Sequence, residues 1–225
     1  MYYMFYDFKL IPYWHQSMVY GSIQILKPPA TPKGLCRIFL CKKLYNNLMT
    51  KKRCFILIDG SNFYFKLKDL RLHNLLKFDF VDFKKYLAGK YEIIQATYYI
   101  GAVRTDGTEK VQRMFNNQRK LLTHLRKAKL RYSLGYLLKS KDKFLEKGVD
   151  VNMAVDILVA TYEDFCNHII LVSSDTDLLP AIKKAKEKGK TVEYIGFSHQ
   201  PSIAMAANCS KSRLLTKEDL LPFAR

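Results

Sequence analysis

Acidic residues are scarce in this chain. Its 225 residues include 20 Asp or Glu against 38 Lys or Arg, a net charge of +18. That surplus favours a nucleic acid or an acidic surface as partner. Other signatures are missing. There is no Gly-x4-Gly-Lys-Ser/Thr phosphate loop, and no Gly-x-Gly-x-x-Gly follows the first strand-like run, which argues against an NTPase and a dinucleotide enzyme. His73, His124, His168 and His199 share no spacing, so nothing supports a histidine-based mechanism. The five cysteines are odd in number and irregularly spaced, with no CxxC pair. They read as reduced, mostly buried thiols of a cytoplasmic protein rather than a disulfide framework or a zinc site. No apolar run approaches the roughly 18 residues that cross a bilayer, so no membrane partner is expected. Met1 to Tyr20 lacks the basic segment and apolar core of a signal peptide, and a single Arg in the first 50 residues makes a poor transit peptide.

The few acids fall in telling places. Ile58-Asp59-Gly60-Ser61-Asn62 and Ser173-Ser174-Asp175-Thr176-Asp177 each close an apolar run, while Lys147-Gly148-Val149-Asp150 and then Asp156 open a helical stretch. A lone Asp in such a place caps a helix or closes a turn. Several of them inside a basic protein suggest a divalent metal acting on a polyanion.

Residues 1–50 read as an N-terminal extension. They are dense in aromatics, broken by Lys27-Pro28-Pro29-Ala30-Thr31-Pro32, and show no sustained period. They hold six basic residues against Asp7, and the rest holds 32 against 19, so residues 51–225 are basic in their own right at +13. Met49, just ahead of the first clear strand, is the expected natural start, which makes the upstream part a loose arm or not native. Peptides from residues 1–48 found in the native protein would contradict the second version.

From Cys54 onward strands alternate with helices. Strands are expected at Cys54–Ile58, within Ile93–Val103, and at Arg131–Leu138, His168–Val172 and Thr191–Ile195. Helices are expected near Asn62–Arg71, Phe80–Leu87, Thr108–Ala128, Asp150–Phe165 with Asp150 as N-cap, and Asp177–Lys188 ended by Gly189. Leu214–Leu220 reads as a short terminal element. This pattern gives an α/β fold, a doubly wound and mostly parallel five-stranded sheet with helices on both faces. In the order 3-2-1-4-5, the first and fourth strands adjoin where the winding reverses, and ligands bind at the carboxyl ends of the strands there. Asp59, Asp175 and Asp177 would converge at that point, with Asp150 in reach.

Carboxylates in one cleft repel one another unless a cation holds them. Mg²⁺ (or Mn²⁺) prefers hard oxygen ligands and keeps several waters, and one ion or a pair can activate water against a phosphodiester. Asp59, Asp150 and Asp175 are the expected ligands, with Asp177 as a fourth or as the base that orients water. Asn62 could hydrogen-bond a carboxylate, a bound water or a phosphate, and Lys147 could neutralise phosphate or fix Asp150. Ser61 and Ser174 are read as helix caps. Asp156 is six residues from Asp150, about 240° around a helix, so the two cannot share a face if both are helical. It sits in an apolar stretch and wants a partner, in the site or in a structural ion pair.

Between Lys110 and Lys147 basic residues crowd together, opposed only by Asp142 and Glu146. Lys110, Arg113, Arg119, Lys120, Arg126, Lys127, Arg131, Lys139, Lys141 and Lys143 are candidates for a phosphate-binding track; the alternative is a solvated helix face. Tyr132, Tyr136 and Phe144 interleave, and core packing is the expectation for each.

On its three acidic motifs taken in order, from about Arg53 to Glu193, the chain resembles the NYN domain family, and within it the LabA-like branch of the PIN-like nuclease superfamily. It departs from that pattern at Ser174, where the family has Gly, and at Leu178, where it has Phe. The resemblance implies a PIN-like fold, a Mg²⁺- or Mn²⁺-dependent acidic site at Asp59, Asn62, Asp150, Asp156, Asp175 and Asp177, and hydrolysis of RNA, single-stranded or structured, by an endonuclease. A non-catalytic RNA-binding or regulatory module of the same fold is the alternative. A phosphatase would want a carboxylate at position 61, which is Ser, and a topoisomerase-primase site would start with Glu where this chain has Asp59. A homo-oligomer is left open.

Overall fold

The structure, a computed structural model, describes residues 52–105, 107–140 and 143–224, the side chains of 138–140 and 143–145 excepted. The expected N-terminal extension lies outside the described residues. Within them run β1 (Arg53–Asp59), α1 (Gly60–Asp69), α2 (Phe80–Ala88), β2 (Glu92–Ala102), α3 (Glu109–Lys127), β3 (Arg131–Ser140), β4 (Lys143–Lys147), α4 (Val149–Tyr162), β5 (His168–Val172), a 3-10 turn at Thr176–Leu178, α5 (Leu179–Glu187), β6 (Thr191–Phe197), α6 (Ile203–Asn208), β7 (Lys211–Leu215) and α7 (Lys217–Leu220).

The strands form one sheet in the order β4-β3-β2-β1-β5-β6-β7, parallel throughout except for β4, which pairs antiparallel to β3. The five strands read from the sequence are β1, β2, β3, β5 and β6, and they lie in the expected order. The expected count of five is corrected to seven. Both additions are edge strands whose sequences lack an apolar run: Lys-Phe-Leu-Glu-Lys in β4, and Lys-Ser-Arg-Leu-Leu in β7, where only the last residue is buried.

Alternation along β1 shows how the layers are made. Cys54, Ile56 and Ile58 enter one core with Phe63, Phe83, Leu121 and Leu125 from α1, α2 and α3. Phe55 and Leu57 enter the other with Met153, Ile157, Ile182 and Met205 from α4, α5 and α6. A strand buried on both faces must be apolar at every position, which is why β1 and β5 are continuous apolar runs. On α3, Val111, Leu121 and Leu125 are buried and Met114, Phe115 and Leu122 half-buried. No helix among the described residues is long and apolar enough to cross a membrane.

Gly60 joins β1 to α1 where the backbone passes close against β2. A Cβ there would stand 2.3 Å from Cε1 of Tyr98 and 2.6 Å from the Tyr99 carbonyl oxygen. Alanine's helix propensity favours Gly60→Ala by about 1 kcal/mol, but the Tyr98 ring is fully buried and cannot yield. Overpacking wins, and a net loss of about 1–3 kcal/mol is expected as a lower urea midpoint. An unchanged or higher midpoint would show that the turn has room to spare.

Candidate functional site

The site begins where β1 ends. Ile58 pairs with Val172 of β5, so Asp59 and Ser173 leave the sheet side by side. Asp59 is 6% exposed. Its Oδ1 accepts the Asn62 amide of α1 at 2.9 Å, and its Oδ2 accepts the Ser173 hydroxyl at 2.9 Å. Burial pushes its pKa up to about 6 against those two bonds, and the charges of Glu146 and Asp150 push the same way. Asp59 is therefore the N-cap of α1, and the capping role expected for Ser61 is corrected. Ser61 instead donates to Oε2 of Glu146.

The segment that follows β5 closes against the end of β1. Ser173 Oγ accepts the Asp175 amide at 3.1 Å, and Asp175 Oδ1 accepts the Asp177 amide at 2.9 Å, capping the 3-10 turn. The cap is thus Asp175 rather than Ser174, whose hydroxyl lies 3.1 Å from that of Tyr194. The N-cap of α4 is also corrected. Gly148, with φ +78°, holds that position, and Asp150 sits in the first turn. A residue with positive φ at the helix entry turns the chain sharply from β4 into α4, and this aims Asp150 at Asp175. Burial first, then Asp175, Glu146 and Asp177, hold the Asp150 carboxyl above its ordinary range.

Glu146 is the acid that the sequence reading passed over. It lies on β4, where the β3–β4 hairpin carries it across to the end of β2, and its Oε1 accepts the Gly101 amide. It had counted only as one of two acids opposing a basic run. A usable signal was its place four residues ahead of Asp150, but the strand that aims it had no apolar pattern to announce it.

Asp156 is not brought into this group. Its Oδ2 accepts the Tyr99 hydroxyl at 2.6 Å, which gives a buried phenol its partner, a hydrogen bond instead of the ion pair considered above. Both acids are helical, and the 240° between them sends one to Asp175 and the other to Tyr99. Lys147 ends β4, exposed, beside Gly148.

The basic residues divide. Lys110, Arg113, Arg119, Lys120, Arg126 and Lys127 all stand exposed on α3. At about 100° per residue, Arg113, Lys120 and Lys127 form one stripe and Arg119 and Arg126 the next, with Lys110 apart. Arg113 pairs with Glu109 at 3.2 Å, and Arg119 lies 5.9 Å from the centre of the Phe115 ring. Arg131 heads β3 and donates to Gln95 at 2.9 Å, so it serves the sheet. Lys139 and Lys143 lie on β3 and β4, their side chains outside the description, and Lys141 lies outside the described residues. Tyr136 is 60% exposed, not core, with Arg104 over its ring.

No three His, Cys, Asp or Glu among the described residues are gathered closely enough to hold an ion together. The donor set nonetheless fits Mg²⁺ or Mn²⁺. It is all oxygen, and Mg²⁺ is usually held by one or two carboxylates with waters and substrate phosphate completing its shell. Asn62 Oδ1 supports the fit, because it is buried beside Asp59 without a hydrogen-bond partner.

The chain belongs to the NYN domain family, whose model matches residues 53–215. That match is to the family as a whole and does not separate out a LabA-like branch. Among curated proteins, the chain is similar to the uncharacterized protein MJ0482 of Methanocaldococcus jannaschii, 50% identical over 48 residues, a stretch that covers 21% of this chain and 20% of that one. The chain thus spans about a fifth of that relative's length. Among solved structures, it is similar to a protein of unknown function, VPA0982, from Vibrio parahaemolyticus RIMD 2210633. That match has 22% identity and a TM-score of 0.54 over 73% of this chain and 93% of the other, a likeness of fold alone. T5 5'-exonuclease, in a structure with divalent metal ions (zinc) bound, aligns at 15% identity and a TM-score of 0.41 over 69% of this chain and 60% of that one.

Proposed function

We propose that this chain is a metal-dependent ribonuclease, an endonuclease that uses Mg²⁺ or Mn²⁺ to hydrolyse RNA phosphodiester bonds at the β1/β5 switch point. One observation carries the reading. Asp59, Glu146, Asp150 and Asp175 come from four separate segments of a protein of opposite net charge, and burial together with the neighbouring acids holds the Asp59 and Asp150 carboxyls above their ordinary range. Grouping like charges is costly unless a ligand that needs them repays the cost.

Asp59, Asp150 and Asp175 would hold the cation, which supplies a polarised water and charge for the phosphate oxygens. Ser173 and the Asn62 amide hold Asp59 in one orientation, and Ser61 with the Gly101 amide does the same for Glu146. Asp177, which is exposed, would take the proton of the attacking water. Hydrolysis adds the water oxygen to phosphorus, breaks the bond to the leaving oxygen and returns a proton to that oxygen. The exposed cations of α3 hold the flanking phosphates. Within this proposal residues 51–225 are the nuclease domain, residues 1–50 an extension, the PIN-like and LabA-like kinships stand, and the protein is cytoplasmic.

The test is cleavage of end-labelled single-stranded RNA by the full chain with Mg²⁺, with Mn²⁺ and with EDTA. Cleavage in the metals only is expected. A protein that binds RNA but cuts under none of the three conditions is the second reading, a non-catalytic module, and the lack of a ready three-carboxylate set among the described residues favours it. For the track, replacing Arg119 and Lys120 with Ala is expected to flatten the slope of log Kd against log salt by roughly 1.5 for single strands. An unchanged slope would place the phosphates elsewhere.

A further inference from the structure

Beside the acidic group, between α1, α3 and the end of β2, lies a cavity of about 500 Å³ that none of the roles above uses. Its size is that of a small-molecule site. Gly60 and Ser61 form the wall shared with the acids, Ser61 being the residue that donates to Glu146. Tyr98 and Ile100 also line it. Phe65, 59% exposed, belongs to its rim, edge-on to Tyr64 at 5.6 Å, and Tyr64 is edge-on to His73 at 5.9 Å. Asn74 and Asn117 are exposed in its lining, and their carboxamides make no hydrogen bond among the described residues. Gln118 is fully used: it accepts the Val103 amide at 2.9 Å and donates to the Gly101 carbonyl at 2.7 Å, fastening α3 to the end of β2.

On its far side the cavity meets a second depression at Leu76, which lines both. That depression is bordered by Arg119, Lys120 and Lys127. The order in space is therefore acids, aromatic cavity, cations.

From this order we infer that the cavity receives one unstacked nucleobase of a single-stranded substrate, next to the phosphate at the acidic site, with the strand continuing over Arg119 and Lys120. This rests on the nucleic-acid part of the proposed function. Each section fits the chemistry of one part of a nucleotide. Phe65 and Tyr64 offer ring surface to a base, the two free carboxamides can read its polar edge, and the cations take the next phosphates. A duplex keeps its bases stacked and would have to give one up to enter, so single strands are preferred.

The test is binding of the full chain, in EDTA, to a fluorescein-labelled ten-nucleotide oligoadenylate and to the same ribose-phosphate chain without bases. The oligoadenylate is expected to bind about tenfold more tightly. Phe65→Ala, at an exposed position, and Asn117→Trp, which fills the cavity from its rim, are each expected to bring that ratio below about threefold. Losing Arg119 and Lys120 should weaken both chains alike. A ratio near one in the wild type, a ratio unchanged by both cavity variants, or no binding of either chain would overturn the inference. A ratio near one beside intact metal-dependent cleavage would remove the base cavity and leave the nuclease. A tenfold ratio without cleavage would do the reverse.

Discussion

Asp175→Asn is expected to abolish metal-dependent cleavage, by about a thousandfold or more in single-turnover rate, in a protein that folds normally. The two halves of that expectation come from two duties of one side chain. Its Oδ1 caps the 3-10 turn by accepting the Asp177 amide, and an asparagine oxygen does that equally well. Its charge faces Asp150, and an amide cannot replace it as an anionic ligand. Thermal unfolding followed by circular dichroism should therefore match the wild type in EDTA while the rate collapses. Equal rates for both proteins would move the chemistry away from this group. Asp156→Asn is the instructive contrast, because it faces Tyr99 and its loss should spare most of the activity.

Asp59→Asn is expected to raise stability in EDTA at pH 7 by up to about 3 kcal/mol, with cleavage lost. The folded carboxyl keeps its proton to about pH 6, whereas an unfolded one releases it near 3.8. Between those values the folded state binds more protons, so stability falls as pH rises, and the full cost is present above pH 6. Two pKa units correspond to about 3 kcal/mol. Asn keeps the cap on Asn62, but its amide must find a new arrangement with Ser173, which lowers the gain. Urea unfolding in EDTA from pH 4 to 8 checks this: the mutant should gain on the wild type between pH 4 and 6 and hold a constant lead above. A lead that shrinks with rising pH would mean that burial does not penalise the Asp59 charge.

The parts of the fold legible in the sequence were those where one physical demand acts alone. β1 and β5 must be apolar on both faces, so Cys54–Ile58 and His168–Val172 stand out, and the rules for parallel connections then put Asp59 next to Ser173. β4 and β7 lie at edges, where one-sided pairing tolerates Lys, Ser and Glu, and they gave no such signal. Caps were harder. Ser61, Ser174 and Asp150 are all good capping residues by type, and in each case a neighbour took the position. Asp59 and Asp175 took two because the strand ends already aimed them at the helix amides. Gly148 took the third because only a residue at ease with positive φ could make that turn. Helical arithmetic did better: Asp150 and Asp156, about 240° apart on α4, do not share a face. The aim of Glu146 and the cavity beside Ser61 depend on which loops fold over which strand ends, and the spacing of Glu146 to Asp150 does not encode that.

The central claim is that the acids at the β1/β5 switch point hold a divalent cation. The most direct measurement is anomalous scattering at the manganese edge from crystals grown with Mn²⁺, for the wild type and for Asp175→Asn. A peak within coordination distance of Asp150 and Asp175, absent in the variant, is the expected result. A wild-type map with no peak there, from protein that cleaves RNA in the same Mn²⁺ buffer, would contradict it.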